Sequence, residues 1–171
     1  MIINEKNIRE ENVLSVAKQM VLAARTAPKG KGVDIQEIII ITGNEIKQLS
    51  ERMILIAEET GMNFFIRDAE NILESTAIVV IGTRNKNQGL NCGYCGFSSC
   101  VEKDKYPTVP CAINTTDVGI SIGSAVAMAA DLRVDNRVMF SIGLAAKQLH
   151  FVSGCFSVFG IPLSASSKNP F

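Results

Sequence analysis

A chain of 171 residues with 17 Lys+Arg, 17 Asp+Glu and 47% hydrophobic residues has the size and composition of one soluble globular domain. Its formal net charge of zero excludes the electrostatic footprint of a protein that coats nucleic acid or an anionic membrane, so neither partner is expected. A chain of this mass buries roughly 70% of its unfolded surface, so its five cysteines are not needed as disulfide staples.

The start, Met1-Ile-Ile-Asn-Glu-Lys, lacks the charged, apolar and small-residue regions of a signal peptide, and a cytoplasmic location is expected. In a reducing compartment an odd set of cysteines points to metal ligation or thiol chemistry before disulfides. From Glu10 to Ala24, Val13, Ala17, Met20, Val21 and Ala24 share one helical face, and Thr26-Ala27-Pro28 ends the pattern. A loop rich in Lys and Gly leads to Glu37–Thr42, whose β-branched run without polar alternation predicts a strand buried on both faces. Ile46, Leu49, Met53, Ile56 and Ala57 predict a second amphipathic helix stopped at Thr60-Gly61. A short helix over Ile66–Leu73 and a second buried strand over Ala77–Gly82 follow, and this order predicts an α/β or α+β sheet flanked by helices.

Between Thr83 and Thr115 the periodicity disappears, and an irregular segment of that length in a compact domain needs another stabiliser. Thr115 or Thr116 is the expected cap of a helix running to about Leu132, and a further helix is expected over Asn136–Leu149. The uncharged run from Gln148 to Ser167 contains His150, Gly154, Gly160, Pro162 and five serines, and reads as buried strand and turn, not a membrane span. The chain is therefore expected to form a single domain over residues 1–171, with a cysteine-rich segment, residues 83–115, inserted within it.

That segment carries Cys92, Cys95 and Cys100 at spacing C-x2-C-x4-C, with Cys111 beyond them. Two intervening residues let the first pair of sulfurs turn toward one ion or cluster, and Gly93 and Gly96 let the backbone curl so that amide groups approach the sulfurs. Four thiolates need a bound cation to balance their charge. Structural zinc usually shows two separated cysteine pairs, whereas three cysteines crowd together here, which favours an iron-sulfur cluster and keeps zinc as the alternative. The run Cys92-Gly93-Tyr94-Cys95-Gly96-Phe97-Ser98-Ser99-Cys100 resembles the small 4Fe-4S domain of corrinoid iron-sulfur proteins and of cluster subunits in membrane electron-transport complexes. The resemblance implies a 4Fe-4S cluster on Cys92, Cys95, Cys100 and Cys111. Cys155, in an apolar run, reads as a packing residue. Tyr94 and Phe97 are expected to shield the cluster from water.

Arg25, Lys29 and Lys31 stand with Gly30 and Gly32 after the first helix, with no acid until Asp34. Such a loop can offer charge and amides to a phosphate, or it is a solvated basic turn; the spacing is not a Walker motif. The stretch Val16 to Met53 is similar to the flavin-binding part of the nitroreductase family, as Thr116-Asp117-Val-Gly to Leu132 is to its central helix and Gly160-Ile-Pro-Leu-Ser to its late strand. The whole chain resembles the uncharacterised ferredoxin-domain (4Fe-4S domain-containing) proteins that combine such a scaffold with a cysteine segment. This implies a nitroreductase-like fold, Arg25, Lys29 and Lys31 as FMN contacts, a homodimer, and a redox partner protein or small-molecule substrate. The resulting readings are an iron-sulfur electron-transfer protein that could also be an FMN-dependent oxidoreductase of nitroreductase type, and a non-catalytic module with structural zinc. His150 reads as a hydrogen-bonded structural residue. Asp131, Arg133, Asp135 and Arg137 read as a salt-bridged turn.

Overall fold

The computed structural model describes residues 1–171. Helix α1 (Arg9–Thr26) is followed by strand β1 (Gln36–Ile41), helices α2 (Asn44–Thr60) and α3 (Phe64–Ile72), and strand β2 (Ala77–Arg84). The cysteine segment then holds one short helix, α4 (Cys100–Asp104), before the long α5 (Ala112–Asp131). Strand β3 (Asp135–Asn136), helix α6 (Phe140–Gln148) and strand β4 (Cys155–Ser164) complete the fold.

The four strands form one sheet in the order β1-β2-β4-β3, antiparallel at every pairing. Of the two arrangements expected, the sheet is thus the α+β one. Two helices lie between β1 and β2, so the chain goes out along one and back along the other and re-enters beside β1 running the opposite way; a single crossover helix gives a parallel pair instead.

The uninterrupted apolar run of β2 is explained by cover on both faces. Ala77, Val79 and Ile81 pack with α1 and α5 residues such as Met20, Ala24, Val118 and Ala125. Ile78 and Val80 pack on the other side with Leu49, Met53, Phe65, Ile72 and Ile142 from α2, α3 and α6. Alternation of side chains along a strand divides the core in this way. Helix α6 approaches β4 so closely that a Cβ on Gly143 would overlap the backbone of Val158, and one on Gly160 would overlap the Ile142 side chain.

Four local expectations differ from the structure. Helix α5 begins at Ala112 with Cys111 as its first cap residue, and Thr115 and Thr116 lie inside its first turns, both hydroxyls donating to the Ala112 carbonyl. The helix expected from Asn136 starts at Phe140, because Asp135 and Asn136 pair with β4 and Met139 bridges to Gly160. The Asp131–Arg137 stretch makes no salt bridge; Asp135 accepts instead from the Ser166 backbone N–H and hydroxyl at 2.9 and 3.0 Å. His150 is exposed with φ 58° at the end of α6, and its ring makes no hydrogen bond. The run Gln148–Ser167 does become a buried strand, β4, and no helix is long and apolar enough to cross a membrane.

Candidate metal centre

Beyond β2 the backbone has no ladder to join, so its hydrogen bonds must come from elsewhere. Asparagine side chains supply many of them. Asn85, the residue after β2, donates from its amide nitrogen to the carbonyls of Pro107 and Val109 at 3.0 and 2.9 Å. Its carbonyl oxygen accepts from Lys103 Nζ at 3.0 Å and from the Cys111 backbone N–H at 3.1 Å. A single side chain thus ties the strand end to α4, to the following loop and to the start of α5. Asn114 on α5 accepts from the Lys86 N–H at 3.0 Å. Asn91 binds across the cysteine loop: Cys100 N–H donates to its side-chain oxygen at 2.8 Å, and its own backbone N–H donates to Cys100 Sγ at 3.4 Å.

The loop closes on itself through left-handed residues. Asn91, Gly93 and Gly96 have φ of 48°, 74° and 85°, and Gly96 N–H donates to the Gly93 carbonyl at 2.9 Å. Such values are open to glycine at little steric cost. Ser99 caps α4 by accepting from the Glu102 N–H at 3.1 Å, and Cys100 is its first residue. The outcome is that Cys92, Cys95, Cys100 and Cys111 line one small cleft, with space for about 10 Å³ between them. Cys111, far from the other three in sequence, joins them because Asn85 and the start of α5 hold it there. Cys92 is exposed and Cys111 buried, so the cavity runs from the surface inward. No three His, Cys, Asp or Glu side chains converge closely enough to hold one metal ion.

The donor chemistry suits a soft metal centre, iron-sulfur or zinc. Four thiols line one cleft, an amide N–H points at one sulfur, and Cys111 is the N-cap residue of α5. Tyr94 does not shield the cavity, being 78% exposed; the loop curls at Gly93 and Gly96 and leaves its ring outside. Phe97 does line the cavity, and it stacks on Tyr106 with ring centroids 5.1 Å apart. Lys103 also lines the cavity and is only 3% exposed. Sequence reading missed Asn85, Asn91, Lys103 and Tyr106, whose roles depend on partners distant along the chain.

The three cations of the Lys-Gly loop are brought near one another and already have internal partners. Lys29 Nζ donates to the carbonyls of Ala24, Arg25 and Ala27 at 2.8, 2.7 and 2.7 Å, capping the end of α1, with its side chain 5% exposed. Burial lowers its amine below the usual lysine range, with Asp34 opposing that shift. Arg25 pairs with Asp34 at 2.6 Å. Burial alone would raise the Asp34 carboxyl, but hydrogen bonds from Arg25 and the Gln36 N–H hold it below its ordinary value. Lys31 is exposed and reaches the Gln88 carbonyl at 3.2 Å, at the edge of the cysteine segment. The loop is pinned to α5 by the Gly30 N–H, which donates to both oxygens of buried Asp117 at 3.0 Å. Nearby, Gln88 Nε2 and Asn114 Nδ2 are buried without a hydrogen-bond partner. Cys155 is buried in the core, and burial pushes its thiol up.

The antiparallel sheet covered by helices on both faces, with the cysteine-lined cleft alongside, has a nitroreductase-like fold. Among solved structures, a nitroreductase with bound FMN from Desulfitobacterium hafniense superposes with a TM-score of 0.60 at 18% identity, covering 92% of this chain and 81% of that one. A nitroreductase with bound FMN from Bacteroides fragilis gives 0.58 at 9% identity over 90% and 77% of the two chains. An NADPH:FMN oxidoreductase from Vibrio harveyi gives 0.54 at 14% identity over 91% and 61%. An uncharacterized protein of Archaeoglobus fulgidus is 41% identical over 179 residues, 100% of this chain and 96% of that protein. Residues 108–171 match the family described as "Uncharacterized protein containing a ferredoxin domain (DUF2148)". The chain belongs to that family. The matched stretch includes Cys111 and α5 through β4, while Cys92, Cys95 and Cys100 precede it.

Proposed function

We propose that the protein is an iron-sulfur redox protein holding a 4Fe-4S cluster on Cys92, Cys95, Cys100 and Cys111. The observation that carries this reading is that all four line one small cleft, in a chain whose family is described by a ferredoxin domain. Four sulfurs around a zinc at 2.3 Å would stand about 3.8 Å from one another. Three of these thiols crowd into nine residues, whereas structural zinc usually takes two separated cysteine pairs, and this spacing favours a cluster over a single zinc ion. A cluster held by these residues would supply one-electron transfer between a redox partner and an acceptor.

The chain's own residues set the conditions for that exchange. Cys92 brings one ligand to the surface, where electrons enter and leave. Phe97 covers one side of the cleft with its ring stacked on Tyr106, and the Asn91 N–H donates to Cys100 Sγ. Protein purified without oxygen should be brown and bleach with dithionite. Cys92→Ala and Cys95→Ala should each lose the colour; full iron content in either variant overturns the ligand assignment.

FMN is the second part of the proposal, supported by FMN-bound nitroreductases of the same fold and by exposed Lys31 next to the cysteine segment. Lys29 fits this role least, since its three donors are spent on α1 carbonyls. Incubation with excess FMN followed by gel filtration tests it: retained flavin, lost when Arg25 and Lys31 are changed to Ala, supports the reading, and no retained flavin overturns it. A homodimer, checked by sedimentation equilibrium, belongs to the same proposal.

A further inference from the structure

Lys103 is the one buried cation at the cysteine cavity. Its side chain is 4% exposed, it lines the same space as the four thiols, and its ammonium is held by Asn85 Oδ1 at 3.0 Å. Asp104, 3.6 Å away, is the nearest acid, and it is half exposed and bonded to Asn87. A buried ammonium is costly to desolvate and is kept where a negative charge answers it. Asn85 is neutral and Asp104 is screened by water, so neither supplies that charge in full.

Asn85 also holds the Cys111 N–H at 3.1 Å. One amide oxygen therefore fixes both a cysteine and a cation on the same wall of the cavity. Resting on the cluster reading above, we propose that Lys103, positioned by Asn85, is a charge-balancing residue that raises the reduction potential of the cluster. A cluster on four thiolates carries net negative charge, and that charge grows when an electron is added. A fixed cation nearby favours the reduced state more than the oxidised one, and the low dielectric of a buried site strengthens the effect.

The test compares the 171-residue protein with Lys103→Met, Lys103→Gln and Lys103→Arg, all reconstituted anaerobically and titrated with dithionite in the presence of mediators. Glutamine keeps a donor for Asn85 without charge, and arginine keeps the charge. The expected result is unchanged iron and sulfide in all four proteins, with the one-electron equilibrium of both neutral variants shifted about tenfold or more toward the oxidised form. A tenfold shift is a fall of about 59 mV. Arginine should stay near the parent. Equal potentials in all four proteins, with clusters intact, overturn the role of Lys103 and leave the cluster reading standing. A parent protein that takes up no iron overturns both. If the neutral variants fail to hold a cluster, retention by Lys103→Arg supports charge balance, and loss from it as well reduces Lys103 to a packing residue.

Discussion

The sheet core and the cysteine segment are built on different physics. Strand β2 is buried along nearly its whole length and shares a hydrogen-bonded ladder with β1 and β4. The segment that continues from it has one short helix, mixed exposure and few apolar anchors. It is organised by single asparagines that bridge residues far apart in sequence, with Asn85 alone joining Lys103, Pro107, Val109 and Cys111. The core is held by many small, interchangeable contributions, and the segment by a few specific bonds arranged around four thiols. A scaffold of the first kind can keep its shape while a site of the second kind varies.

The contrast can be broken by mutation. Phe65, fully buried between α2, α3 and α6, should cost about 3–5 kcal/mol when replaced by Ala, measured as a loss of global stability in urea. Asn85→Ala removes a smaller share, roughly 1–3 kcal/mol, because it leaves a buried lysine and backbone groups unpaired. Its effect should be local: hydrogen exchange should quicken across residues 85–115 while the amides of β2 stay protected. Quickened exchange throughout the sheet would show that segment and core are one cooperative unit.

Thiol reactivity sharpens the same division. In reduced, metal-free protein, exposed Cys92 should be alkylated first, whereas Cys155, whose thiol is held protonated by burial, should stay unmodified until the chain unfolds. Early labelling of Cys155 would place the edge of the core elsewhere. The smallest effect belongs to the Arg25–Asp34 pair beside the Lys-Gly loop. Asp34 has a folded pKa below its ordinary 3.8, so its stabilising contribution is complete above that value and is lost as pH falls through the folded pKa. Asp34→Asn should therefore cost at most about 1 kcal/mol at neutral pH and nothing in strong acid, as read from thermal unfolding across pH.

Most of the core was legible in the sequence because periodicity reports burial. The apolar faces of α1 and α2 and the unbroken run of β2 appear where expected. The antiparallel direction of β2 was not, since it depends on how two helices return the chain. Nor was the start of α5: Thr115 and Thr116 have the chemistry of caps, but Asn85 fixes the chain at Cys111 and the helix starts there. In the candidate site the three crowded cysteines were legible from spacing. Asn85, Asn91 and Lys103 were not, because a side chain that bonds across the loop leaves no periodic mark. Tyr94 was misplaced for a related reason, since an aromatic within a tight glycine loop can face either way and here faces water.

The central claim is that four thiols surround a cluster and not a single ion. Iron, acid-labile sulfide and zinc measured on one anaerobic, reconstituted preparation test it most directly. About four iron and four sulfide per chain is the predicted result. One zinc per chain, with neither iron nor sulfide, would contradict it.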